Sequence, residues 1–111
     1  MIFQHGDVIL QRVDTIPDTA TTVDRDNGRV ILAYGEVTGH AHAIVAPLDD
    51  VILTEIITQS DQDEMAERFL KVQREVALSH EEHATINIPP GNYRVTIQRE
   101  YSPEEIRRVA D

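Results

Sequence analysis

The sequence has no cysteine, so neither a disulfide framework nor a thiolate zinc site can form, and any bound metal would need histidine, aspartate or glutamate. That absence fits a reducing compartment. Basic residues are scarce as well: 10 lysines and arginines stand against 20 aspartates and glutamates, for a formal charge of -10. The imbalance is present in both halves of the chain. Such a surface repels phosphate backbones and anionic lipid, which argues against nucleic-acid and membrane-surface binding and makes a cation the more natural partner. The start, Met1-Ile-Phe-Gln-His-Gly-Asp7, has no basic segment followed by an apolar stretch. No later run approaches the ~18 apolar residues of a membrane span. A cytoplasmic protein is expected. Glycine-rich phosphate loops, a Gly-x-Ser-x-Gly elbow, internal repeats and low-complexity tracts are also missing.

What is there reads as a single β-rich domain over residues 1–111. A chain of this size buries only about two thirds of its unfolded surface, so homo-oligomerisation would add margin. Asp7-Val-Ile-Leu-Gln-Arg-Val13 is short, β-branched and closed by Ile16-Pro17-Asp18, and Asp26-Asn27-Gly28 is a turn signal because Asn and Gly accept positive φ. Arg29 to Tyr34, His40 to Ala46 and Val51 to Thr58 read as further strands. Residues 60–77 mix two patterns: Met65, Phe69, Val72 and Val76 have helical spacing, yet Arg68 to Gln73 and Glu75 to Ser79 fit two strands of a meander, which the surroundings favour. Ala84 to Ile88 and Tyr93 to Arg99 alternate at period two around Pro89-Pro90-Gly91 and predict a hairpin. Ser102-Pro-Glu-Glu-Ile-Arg-Arg-Val-Ala110 predicts a short helix, with serine at the cap, proline first and Glu105 completing a capping box. The expected architecture is a small antiparallel barrel or sandwich of about seven or eight short strands with a short C-terminal α-helix.

Two histidine motifs carry the chemistry. In a strand, residues i and i+2 face the same way, so His40 and His42 would set two imidazoles side by side, roughly 6 to 7 Å apart at Cβ. His80 and His83 would face apart on a regular strand and can share a site only if the strand is broken between them. Glu81 and Glu82 are the candidate catalytic carboxylates: either could act as general base, orient an imidazole or bind a metal directly. The string is not the His-Glu-x-x-His motif, whose histidines lie four apart on a helix. His5 reads as a surface residue, and Ser79 and Ser102 make no case as nucleophiles.

The strings Gly35-Glu-Val-Thr-Gly-His-Ala-His42 and His80-Glu-Glu-His83, followed by Pro89-Pro-Gly-Asn-Tyr93 and Gln98-Arg-Glu-Tyr101, resemble a group of short uncharacterised bacterial and phage proteins, a resemblance that implies no activity. A glycine before a His-x-His pair and a later Pro-Gly turn also resemble cupins. Here the acid expected after the pair has only Asp49 and Asp50 as candidates, and no histidine follows Pro89-Pro90-Gly91. The function expected is a small metal-binding domain in which His40, His42, His80 and His83 hold a divalent transition metal (zinc, iron, nickel, copper or manganese). The competing expectation is a metal-free, non-enzymatic oligomeric module of structural or interaction type. Whether the protein is an enzyme stays open at this level.

Overall fold

The computed structural model describes residues 1–35, 39–59 and 64–98. They form ten strands: β1 (Ile2–His5), β2 (Val8–Val13), β3 (Thr21–Thr22), β4 (Val30–Tyr34), β5 (Ala41–Ile44), β6 (Val51–Gln59), β7 (Glu64–Val72), β8 (Val76–His80), β9 (His83–Ile88) and β10 (Gly91–Ile97). Six build one antiparallel sheet in the order β1-β2-β10-β7-β6-β3, and four build a second in the order β4-β5-β8-β9.

The alternating pattern explains how each strand seats itself. Val8 and Leu10 of β2, Tyr93 and Val95 of β10, and Val76 and Leu78 of β8 are buried, while their in-between neighbours Arg94, Thr96, Ala77 and Ser79 are exposed. The buried residues of both sheets form one core, to which β4 adds Val30 and Leu32, β5 adds Ile44 and β6 adds Val51 and Leu53. Phe69 and Leu70 are consecutive and both buried, so β7 is covered on both faces: Leu70 lies in the core, and the Arg94 guanidinium stands 5.7 Å from the Phe69 ring on the other face. Arg25 ties the loop before β4 to the entry of β6: its guanidinium donates to the carbonyls of Gly28, Ala46, Pro47 and Val51. Asn27 and Gly28, at φ 52° and 78°, form the tight turn that their identities predict, closed by reciprocal bonds between Asp26 and Arg29.

Several expectations need correction. Among the described residues the strands number ten, because Ile2–His5 and the two-residue Thr21–Thr22 also pair. No barrel closes: among the described residues β1 and β3 bound one sheet, and β4 and β9 bound the other. Residues 64–72 and 76–80 are strands, as the surroundings favoured, but not neighbours in a meander: the bend at residues 73–75 carries the chain from one sheet to the other. The hairpin predicted across Pro89-Pro90-Gly91 is not formed. Strand β9 pairs with β8, and β10 pairs with β2 and β7. Two consecutive prolines supply no N–H to a ladder, so this segment serves as a crossing between sheets. Tyr93 Oη anchors the crossing by donating to Pro89 O at 2.7 Å. No helix occurs among the described residues, and the one predicted over residues 102–110 lies outside them.

Candidate metal centre

The histidine motifs meet where the tip of one sheet touches the other. His5 ends β1, and Gly6-Asp7 turn the chain into β2, with His5 and Val8 paired across the turn. Glycine stands first because the turn needs φ +62° there, which a side chain rarely adopts. The turn thereby presents His5 and Asp7 towards the second sheet. His42 comes from β5, His40 from the residue before it, and the β8–β9 hairpin supplies His80 and His83 on either side of Glu81-Glu82.

That hairpin is the strand break the second motif required. His80 and His83 face each other across it, with ring centroids 4.8 Å apart. The first pair also shares a side, since His40 and His42 both approach the His80 ring, at 6.0 and 4.4 Å. His83 stacks on His42 at 5.6 Å and 19°. All four sequence-predicted histidines are therefore brought together, and a fifth joins them. His5, expected at the surface, is buried at 3% exposure, with its ring 4.9 Å from His42 and 5.7 Å from His83. The acid beside the His-x-His pair is likewise not Asp49 or Asp50: Asp50 faces Arg74 at 3.9 Å, whereas Asp7 Oδ1 lies 3.2 Å from His42 Nε2. Neither His5 nor Asp7 belongs to a histidine-rich string. Their one local signal is a glycine between two polar groups at the start of a β-branched run.

Hydrogen bonds assign protons to most of these rings. His5 Nε2 lies 2.8 Å from Ala84 O, which can only accept, so Nε2 carries the proton and Nδ1 offers its lone pair. His42 Nδ1 is 2.8 Å from that lone pair and donates to it. At the rim, the Glu82 N–H donates to His80 Nδ1 at 2.9 Å, which leaves the proton of a neutral His80 on Nε2. His40 Nδ1 donates to Glu82 Oε2 at 3.1 Å, so a neutral His40 keeps its Nε2 lone pair. Glu81 Oε1 accepts from the Ala41 N–H at 3.0 Å.

Burial sets the electrostatics of the inner rings. The pKa of His42 is lowered to about 4, first by burial and then by the neighbouring His80 and His5, against an opposing pull from Asp7. Burial also lowers His5, offset in part by its bond to Ala84. Both rings are thus held neutral, the state in which imidazole binds metal. The bond from the Ala41 N–H holds Glu81 below the usual carboxylate range, and the bond from His40 does the same for Glu82. Both carboxylates lie in the exposed turn. Among the described residues, no group of three or more histidine, aspartate or glutamate side chains is already disposed around a common point to hold a metal ion.

Two antiparallel sheets joined at a cluster of imidazoles define a small β domain with a histidine-lined seam. The chain belongs to the family described as Domain of unknown function (DUF8820), whose model matches residues 4–98. That span includes all five histidines and Asp7. No curated protein and no solved structure matches the chain.

Proposed function

We propose that this domain binds a divalent transition metal through the imidazoles of the seam, drawn from His40, His42, His80 and His83. Zinc, iron, nickel, copper and manganese all suit imidazole with carboxylate. The observation that carries this reading is the convergence of five imidazoles from separate strands and one hairpin, each ring centroid lying 4.4 to 6.0 Å from at least one other. Burial and the neighbouring rings penalise protonation of His42 and His5, and metal coordination exploits the neutral form. Glu81 and Glu82 suit an orienting role better than that of general base, because carboxylates held below their usual range are weak bases at neutral pH. A site keeping an open coordination position would activate water or oxygen, and a closed one would be structural or sensory.

The test is metal content after expression with each of the five metals supplied. Wild type should retain close to one equivalent of one of them, and the double variant His40→Ala plus His42→Ala should retain almost none. Equal, near-zero content in both would overturn the reading.

A further inference from the structure

Strand β10 belongs to two ladders that end at different places. Its pairing with β2 runs on to Ile97 and Val8, whereas its pairing with β7 stops at Val95 and Arg68. Beyond that point the sheet forks, and Thr96 and Ile97 line a gap of about 280 Å³ with Ala66 and Glu67. A second hollow, of about 290 Å³, lies between the same fork and β4 of the other sheet, lined by Ile31, Tyr34, Arg68 and Ile97 among others. Ile31 and Ile97 are half-buried and Tyr34 is 56% exposed, while Arg68 reaches across from β7 to donate to Leu32 O. The two hollows make one cleft with largely apolar walls and a guanidinium in it.

The chain passes out of the described residues at this cleft. Gln98 follows Ile97 directly and donates its N–H to Asp7 O at 2.9 Å, so residues 99–111 start at the rim. We propose that this C-terminal segment docks back into the cleft and covers it, an inference independent of the metal-binding reading. The helix expected over residues 102–110 would set Pro103, Ile106, Val109 and Ala110 along one side, at spacings of three and four, with Glu104 and Arg108 opposite. That apolar stripe matches the walls formed by Ile31, Tyr34 and Ile97. Its reach is sufficient: three linking residues span up to about 10 Å, and nine helical ones about 13 Å. The other apolar hollow, beside Leu48 and Val51, adjoins the Gly91 end of β10, roughly 20 Å of strand away from the exit. Charge is secondary, since Arg68 already stands opposite Glu55 in the β6–β7 ladder; Glu105, flanking the stripe, adds a second acid beside that cation. Attachment favours this occupant over a free partner, because a tethered chain end is present at an effective concentration in the millimolar range.

The test is paramagnetic broadening in the full-length protein. The sequence has no cysteine, so Asp111→Cys gives a single site for a nitroxide label at the chain end. The label should cost the amide signals of Ile31 to Tyr34 and of Ala66 to Arg68 most of their intensity and leave those of Asp14 and Gly91, at the other end of the strands, sharp. Adding Ile106→Asp and Val109→Asp should restore the lost signals while the rest of the spectrum, including β8 and β9, stays in place. Tyr34→Ala, made from the cleft side at an exposed position, should restore them in part. Broadening that is spread evenly over the domain, or that survives both sets of substitutions, overturns the proposal. So does broadening of the same signals when labelled protein is mixed with unlabelled, nitrogen-15-enriched protein, since the occupant is then a second copy of the chain.

Discussion

The inner and outer halves of the histidine seam are built from the same residue type and differ in almost everything else. The His42 side chain is 4% exposed and linked through His5, from the other sheet, to the Ala84 carbonyl of its own, so its protons and its orientation are fixed by the fold. The His40 side chain is 29% exposed, and its partner Glu82, at 57%, sits in a two-residue turn. An exposed ion pair of this kind gains little and is screened by salt. The inner half therefore has the character of a preorganised site, and the rim that of an adaptable mouth. A bound metal would find its first donors inside and recruit the others.

The largest effect that would break this comparison is on stability. In chelator-treated protein, His42→Ala truncates a buried ring and removes the donor to His5 Nδ1, so urea unfolding should show a loss of about 2 to 4 kcal/mol. His40→Ala should leave the midpoint within error, as substitutions of exposed side chains commonly do. Equal losses from the two would mean that the seam has no inner half.

The pH dependence sharpens the same point. His42 titrates near 4 when folded and at 6.5 when unfolded. Between those values the unfolded chain binds more protons than the folded one, so stability is fully present above pH 6.5 and is lost as pH falls towards and through 4. A shift of this size corresponds to up to about 3 kcal/mol, and burial moves His5 in the same direction. Unfolding of the metal-free protein across this window should show the loss in wild type and a much flatter profile in His42→Ala. An unchanged slope in that variant would place the acid sensitivity elsewhere.

Much of this was legible in the sequence, and what was not has a common cause. Period-two alternation over Ala84 to Ile88 and Tyr93 to Arg99 pointed to the strands formed at residues 83–88 and 91–97, because alternation reports that one face is covered. It does not report by what, which is why β9 and β10 looked like a hairpin while lying in different sheets. The helical spacing of Met65, Phe69, Val72 and Val76 was a coincidence of two strands in two sheets, and the adjacent buried pair Phe69 and Leu70 was the contrary signal. His40 and His42 could be placed together because i and i+2 is a local relation. His5 and Asp7 could not, since their approach to His42 spans more than 30 residues and depends on how the sheets meet.

Gly6 is where the two halves can be separated with least disturbance. It holds φ +62°, and alanine in that left-handed conformation costs about 1 to 2 kcal/mol. A β-carbon would also stand 2.8 Å from His83 Nε2 and 2.9 Å from His42 Cε1. His83 is an exposed residue and can swing outward; His42 is buried and hydrogen-bonded and has nowhere to go. Gly6→Ala should therefore lower the melting midpoint by at least the several degrees that about 1 to 2 kcal/mol represents in a domain of this size. The NMR signals of the His83 ring should move strongly and those of His42 only slightly. If the His42 signals shift as far as those of His83, the inner ring is as free as the rim, and the preorganisation argued for it is absent.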